Sequence, residues 1–250
     1  MATPADHALA RAVAAETGEL LVALRAERVD QVWPDRLRAE GDRRAHLCIL
    51  ELLTDARPED AVLSEEGYDD RTRVGSDRVW VVDPLDGTRE FGERGRTDWA
   101  VHIALVEGGH VTAGAVALPA QDVVFATDVP PVVPPVGERR LRVVTSRSRL
   151  PHLSYSVAEA LDADLVPMGS AGAKAMAVVR GDVDVYAHAG GMYEWDTCAP
   201  VAVARAAGLH VSRVDGSPMR YNRLDLWLPD LLICRPELAE TCLDVIADAW

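Results

Sequence analysis

The stretch Val79-Trp80-Val81-Val82-Asp83-Pro84-Leu85-Asp86-Gly87-Thr88-Arg89-Glu90-Phe91 constrains this chain more than any other. Four bulky apolar residues in a row, three of them valine, predict a short strand buried on both faces. Pro84 fixes its own φ and has no N–H to donate, so the strand is expected to stop there. Asp83 and Asp86 then sit three residues apart on a turn that leaves the Leu85 carbonyl free to join them. Hard oxygen donors with no thiol or imidazole nearby suit magnesium better than zinc. Gly87 lets a bulky anion approach the backbone, and Thr88 supplies a hydroxyl. A helix starting there would offer phosphate its free N–H groups. Pro-x-Asp-Gly is also an ordinary turn signature, and for this stretch in isolation the turn is the simpler account.

Partners for the two aspartates must come from elsewhere. Ala61-Val62-Leu63 is a short apolar run that ends in Ser64-Glu65-Glu66. Further on, Gly190-Gly191-Met192-Tyr193-Glu194-Trp195-Asp196 leads into an apolar helix, with Asp196 at its expected start and Gly208 at its expected end. Each acidic site has a plain structural alternative: a turn, a solvated loop or an N-cap. All three follow apolar or glycine-rich sequence, however, and converging carboxylates repel unless cations lie between them. Two magnesium ions about 3.5–4 Å apart would stabilise both the attacking water and the leaving oxygen of a phosphoryl transfer. No G-x-x-x-x-G-K-[ST] loop is present, which argues against P-loop nucleotide hydrolysis.

The rest of the chain sets the frame. Residues Asp6 to Glu27 predict an amphipathic helix with Leu9, Val13, Leu20, Leu21 and Leu24 on its apolar side. Trp33-Pro34 breaks the pattern. A second helix is expected from Asp42, carrying Leu47, Leu50 and Leu53 and stopping at Pro58, with Asp42 either its N-cap or a catalytic acid. Asp69 to Arg78 reads as an exposed loop. From Asp98 the period changes to two: Trp99, Val101, Ile103 and Leu105 alternate with Ala100, His102 and Ala104. Glu107-Gly108-Gly109-His110 reads as a hairpin turn, and Val111 to Leu118 and Val123 to Ala126 continue an antiparallel meander. His102 reads as a packed or rim residue of that meander.

Val129 to Gly137 holds four prolines and marks the expected boundary between an N-terminal half, 1–138, and a C-terminal half, 139–250. Beyond it strands and helices alternate: Leu141 to Thr145, Leu153 to Leu161, Leu165 to Met168, Ala171 to Arg180 and Val183 to Ala187. Val211 to Val214, the Asp215-Gly216-Ser217-Pro218 turn, Leu231 to Cys234 and a helix to Trp250 complete an α/β half.

A balance of 40 acids against 26 bases, net −14, argues against a nucleic-acid partner. It does not exclude a small anionic substrate, since bound divalent cations reverse the local sign. No apolar run is long enough to span a bilayer, and the N-terminus lacks a signal-peptide pattern, so a cytoplasmic protein is expected. Cys48, Cys198, Cys234 and Cys242 lack paired C-x-x-C spacing and read as buried or free thiols.

Glu65-Glu66, Asp83-Pro84-Leu85-Asp86-Gly87-Thr88 and Trp195-Asp196-x-x-Ala199-Pro200 together resemble the three signatures of the inositol monophosphatase-like, lithium-sensitive phosphatases. The resemblance is spread over most of the chain, in the right order. It implies an α+β fold, a layered α-β-α-β-α sandwich with an antiparallel N-terminal sheet and an α/β C-terminal half, the active site lying where they meet. It implies two or three Mg2+ ions, inhibition by Li+, and Glu65, Asp83, the Leu85 carbonyl, Asp86 and Asp196 as metal ligands. Asp42 and Thr88, with Glu65, would activate water, without a covalent phospho-enzyme. The Ala39-Glu40-Gly41 lead-in to Asp42 departs from the usual Thr-x-x-Asp, and Cys198 stands where alanine is common.

Within the family, Arg89-Glu90-Phe91 and Thr145-Ser146-Arg147-Ser148 resemble segments of the phosphatases acting on 3'-phosphoadenosine 5'-phosphate. So do Gly169-Ser170-x-x-x-Lys174 and Pro218-Met219-Arg220-Tyr221-Asn222. This implies removal of a nucleotide 3'-phosphate in sulfate assimilation. Substrate contacts would come from Asp86, Gly87, Thr88, Arg147, Ser170, Lys174 and Asp196, with Arg147 alternatively a surface cation. Inositol or fructose bisphosphate phosphatase activity remains an alternative, as does a catalytically silent metal- or nucleotide-binding regulator. Homodimer formation is left open.

Overall fold

Two five-stranded sheets alternate with three helical layers. The structure is a computed structural model and describes residues 1–148 and 152–249. The first helix, α1 (Pro4–Arg28), begins with proline in its first turn and Thr3 as N-cap. Thr3 and Asp6 form a reciprocal capping box, which satisfies two otherwise orphaned N–H groups. Asp6 is also held by Arg57 and Arg78. Then come α2 (Pro34–Ala56) and β1 (Ala61–Ser64), with β2 (Arg78–Asp86), α3 (Thr88–Gly92), β3 (Ala100–Glu107), β4 (His110–Leu118) and β5 (Val123–Ala126) after them. The strands lie in that order across the first sheet.

This sheet is buried on both sides, which explains why β2 carries no polar alternation. Val79, Val81, Ala104, Val106, Val116 and Leu118 face the inner helical layer. Trp80, Val82, Ile103, Leu105, Ala115 and Ala117 face α1 and α2 on the outside. Full burial of a side chain such as Leu21 on α1 contributes about 1.5–3 kcal/mol.

The segment 129–137 carries no strand or helix beyond a bridge from Ala126 to Val129. The C-terminal half holds β6 (Arg142–Ser146), α4 (His152–Ala160), β7 (Asp164–Met168), α5 (Ala171–Val179), β8 (Val185–Tyr193) and α6 (Glu194–Ala206). It continues with β9 (His210–Ser212), β10 (Trp227–Cys234) and α7 (Ala239–Ala249); the expected helix end at Trp250 lies outside the described residues. The second sheet has the order β7-β6-β8-β10-β9. Helices α5 and α6 fill the space between the sheets, and α4 and α7 cover the far face. The result is the expected α-β-α-β-α sandwich.

Several expectations need correction. Helix α2 starts at Pro34 rather than Asp42, because a proline in the first turn opens a helix as readily as it ends one. Asp42 is therefore a mid-helix residue and caps nothing. Strand β2 runs through Pro84 to Asp86, because the register with β3 shifts between Asp83 and Asp86 and the proline needs no ladder partner there. The first sheet is not wholly antiparallel: β1 pairs parallel to β2. The second is mixed: β7, β6 and β8 run parallel, and β10 pairs antiparallel with both β8 and β9. Strand β8 begins at Val185 and extends to Tyr193, past the expected end at Ala187. Asp196 is the third residue of α6 and not its cap.

Candidate active site

The β1–β2 register builds the first edge of the site. Ser64 lies opposite Val82, so the next residue, Glu65, falls beside Asp83. Glu65 is exposed as a residue, yet its carboxyl turns inward toward that of Asp83. The Leu85 N–H donates to Asp83 Oδ1 at 3.0 Å. Asp196 comes in from the first turn of α6, its Oδ2 accepting the Tyr193 N–H at 2.6 Å. Carboxylate oxygens of Asp83, Asp86 and Asp196 all lie within 4.8 Å of one another.

Such crowding raises proton affinity. Burial first, then the charges of Glu65 and Asp86, push Asp83 well above the ordinary carboxylate range. Burial and Asp196 push Glu65 up to about 7, and burial and Asp86 push Asp196 up to about 6. Asp86 goes the other way. Its burial is outweighed by the nearby His102 imidazole and by hydrogen bonds from Ser170 and the Gly172 N–H, which hold it well below the usual range. Ser170 Oγ donates to Asp86 Oδ2 at 2.5 Å, the Gly172 N–H to the same oxygen at 2.6 Å, and the Ala171 N–H to Oδ1 at 3.1 Å. Asp86 thus seals the N-terminus of α5, where negative charge is favoured. Ser170 makes this bond at φ 51°, a conformation costing a non-glycine residue about 1–3 kcal/mol.

An oxygen-only donor set whose members resist sharing their charge fits a hard divalent cation. The Leu85 carbonyl faces the same region, accepting from Thr88 Oγ1 at 3.0 Å. Thr88 Oγ1 also lies 3.3 Å from Asp42 Oδ1. Burial, with Glu66 next, pushes Asp42 up to about 7. Gly87 joins the Asp83–Asp86 segment to α3 at φ 83°; a Cβ there would sit 3.0 Å from the Ser170 Cβ and 3.1 Å from the Asp98 carbonyl. Helix α3 itself is a single turn.

The remaining residues named from sequence are placed less directly. Lys174 is buried in α5, donates to the Ser170 carbonyl at 2.7 Å and lies 5.4 Å from the Tyr186 ring centre. Burial lowers its pKa, against the pull of Asp86, Glu90, Asp196 and Asp98. Arg147 donates to Glu90 at 2.5 Å and Glu93 at 2.7 Å, so two carboxylates already hold its guanidinium.

His102 was missed by the sequence reading. It is packed, as expected, but it packs against the acidic cluster. Its Nε2 lies 3.2 Å from Asp86 Oδ2 and its Nδ1 3.0 Å from the Trp195 carbonyl. Asp86 outweighs burial and raises its pKa. The available signal was a lone polar residue on the inward face of β3, between Ala100 and Ala104. Glu66 was named only as a neighbour of Glu65, and its charge on Asp42 depends on a contact between chain segments that spacing does not reveal.

A sandwich of this layering, with an oxygen-only carboxylate cluster beside a hydroxyl–carboxyl pair, has the parts of a metal-dependent phosphatase. The chain belongs to the inositol monophosphatase family, whose pattern matches residues 5–130 and 135–247. It is 52% identical over 244 residues to the 3'-phosphoadenosine 5'-phosphate phosphatase of Mycobacterium tuberculosis, covering 94% of this chain and 91% of that protein. It is 34% identical over 201 residues to the 3'(2'),5'-bisphosphate nucleotidase CysQ of Escherichia coli, covering 75% and 80%. The crystal structure of CysQ from Bacteroides thetaiotaomicron superposes with a TM-score of 0.76 at 27% identity, over 92% of this chain and 97% of that one. No helix among the described residues is long and apolar enough to cross a membrane.

Proposed function

We propose that this chain is a magnesium-dependent phosphomonoesterase that removes the 3'-phosphate of 3'-phosphoadenosine 5'-phosphate, with 3'-phosphoadenylyl sulfate as a related substrate. It would clear a by-product of sulfate assimilation in the cytoplasm. The observation that carries the chemistry is the convergence of Asp83, Asp86 and Asp196 within 4.8 Å, beside the Thr88–Asp42 pair. The substrate rests on the names of the relatives, above all the one 52% identical over almost the whole chain.

Glu65, Asp83, the Leu85 carbonyl, Asp86 and Asp196 are the groups that would hold the metal. Magnesium bound there supplies positive charge against the oxygens that gain charge in the transition state. The chain's own part is orientation and proton transfer. Thr88 Oγ1, fixed between the Leu85 carbonyl and Asp42, positions the attacking water. Asp42, with a pKa raised to about 7, accepts the water proton near neutral pH, where a general base is most effective. The water oxygen bonds to phosphorus as the bond to the ribose 3'-oxygen breaks. That oxygen takes up a proton from solvent, giving adenosine 5'-phosphate and inorganic phosphate. Gly87 and Thr88 lie against the transferred phosphate, and Ser170, Lys174 and Arg147 lie toward the rest of the nucleotide.

A turnover panel with magnesium tests the proposal, using 3'-phosphoadenosine 5'-phosphate, inositol 1-phosphate and fructose 1,6-bisphosphate. The nucleotide is expected to give the highest kcat/KM. A clear preference for a sugar phosphate would replace the substrate. No turnover on any of them, with magnesium bound, would leave a binding regulator.

A further inference from the structure

His102 is fully buried in the middle of β3, yet it touches three other elements of the site. Its Nδ1 meets the carbonyl of Trp195, the residue before Asp196 in the first turn of α6. Its Nε2 lies 3.2 Å from Asp86 Oδ2 on β2, a contact bent away from a linear hydrogen bond. Its ring also fills the space over Gly172 at the start of α5, where a Cβ would fall 2.0 Å from Nε2. Gly172 in turn donates its N–H to Asp86. One imidazole therefore spans the two aspartates that come from opposite halves of the chain.

We propose that His102 is a positioning residue that fixes Asp86 and Asp196 relative to one another and so sets the affinity of the site for divalent cations. It touches neither substrate nor reacting atoms. The proposal rests on the metal reading of the cluster given above and adds a determinant outside the ligand set. Asp86 has one oxygen, Oδ2, held by Ser170 Oγ, the Gly172 N–H and His102, leaving Oδ1 with the Ala171 N–H as its one recorded partner among the described residues. A carboxylate pinned through one oxygen presents the other in a fixed direction. The bond to the Trp195 carbonyl does the same for the turn that carries Asp196. Groups behind a metal ligand commonly change affinity or activity by 10–100-fold when removed.

The experiment compares wild type with His102→Asn and His102→Gln. Asparagine keeps a side-chain donor near the Nδ1 position, toward Trp195, but is too short to reach Asp86. Glutamine reaches toward Asp86 with its terminal amide. Magnesium binding is measured by titration calorimetry on the full-length protein stripped with chelator, and thermal melts are recorded in chelator. His102→Asn is expected to bind magnesium about 10–100-fold more weakly than wild type. His102→Gln should recover most of that loss. In turnover assays, the magnesium concentration giving half-maximal rate should rise for His102→Asn, while the rate at saturating magnesium changes much less.

Magnesium constants equal to wild type in both variants overturn the proposal. So does a loss of affinity that is the same in both and merely follows a lowered melting temperature in chelator, since that is what packing alone would give. A wild-type protein that takes up no magnesium overturns the metal reading and this proposal together. Equal constants in wild type and variants overturn this proposal only.

Discussion

Arg73 Nη1 donates to Asn222 Oδ1 at 2.7 Å, and Asn222 Nδ2 returns a bond to the Arg73 carbonyl at 3.1 Å, across 149 residues of sequence. The backbone N–H groups of Asn222 and Arg223 in turn donate to the Glu194 carboxylate at 2.7 and 2.9 Å. The loop that follows Glu65 and Glu66 is thereby tied to the start of the helix that carries Asp196. The Arg73 side chain is 3% exposed and also bonds Asp69 and the Arg223 carbonyl. Arg73→Ala should cost about 3 kcal/mol, the usual loss for breaking a buried charged network. In a chain of this size that lowers the melting temperature by roughly 6–12 °C. A shift under about 2 °C in a thermal melt would remove Arg73 as an anchor.

Asp83→Asn removes one charge from the cluster and one ligand. Without metal, the variant should melt no lower than wild type, because the repulsion that raises Asp83 and Glu65 is relieved. Magnesium at about a hundred times its dissociation constant should stabilise wild type by roughly 2.7 kcal/mol and the variant by less. Its kcat should fall by several powers of ten. Melts with chelator and with magnesium check the first part. A variant clearly less stable in chelator would show that the Asp83 carboxyl holds the fold through its own contacts, and that metal binding is secondary.

Lithium should inhibit wild type at low concentration with magnesium saturating. Indifference to lithium in a steady-state assay would count against the proposed metal chemistry.

The base must be ionised to accept a proton, so kcat/KM should rise with pH and level off. Asp42 is raised to about 7 by burial and Glu66. Bound cations pull it lower, so the inflection should fall at or below 7. Glu66→Gln removes the second cause and should move the inflection further down. An inflection that stays in place in Glu66→Gln, or one that lies above pH 8 in wild type, would exclude Asp42 as the base.

Asp6 is a stability switch of the opposite sign. Its carboxyl is held below the usual range, its near-complete burial being outweighed by bonds from Thr3, Arg57 and Arg78. Its stabilising contribution is therefore full above the unfolded value near 3.8 and is lost as pH falls below it. Asp6→Asn should cost about 1.5–3 kcal/mol at pH 6, and the gap to wild type should narrow as the pH is lowered through the carboxylate range. Denaturant melts at pH 6 and pH 3 give the comparison.

Arg147 separates two accounts of specificity. If it serves the phosphate that is not cleaved, Arg147→Ala should lower kcat/KM for the bisphosphate nucleotide ten- to a hundredfold and leave inositol 1-phosphate nearly unchanged. Equal losses on both would mean that its bonds to Glu90 and Glu93 hold α3 in place for any substrate.

The strands, the helices and the acidic sites were legible because they depend on local pattern, whereas the layering and the ligand set followed from the resemblance of the three signatures. Val79 to Val82 reads as a doubly buried strand, and the two faces of β3 alternate as written. What escaped depended on where segments meet. Nothing in Ala61-Val62-Leu63 says that it runs parallel to β2, although that direction is what puts Glu65 beside Asp83. Pro34 looks the same whether a helix ends before it or starts with it, so Asp42 was placed at a helix start instead of eight residues within one. His102 has no sequence neighbour that predicts its partners, because Asp86 reaches it through strand pairing and Trp195 through the fold.

The seal that Asp86 makes on α5 has a consequence for recombination. A crossover between two relatives in the segment 129–137 would take Asp86 from one parent and the residues that hold it, Ser170 to Gly172, from the other. The hybrid keeps every carboxylate of the cluster, yet its most acidic member rests on a helix start that did not evolve with it. Exchange between relatives should therefore be tolerated across most of the surface and resisted at this seam, where Asp86, His102 and Ser170 to Gly172 have to be exchanged together.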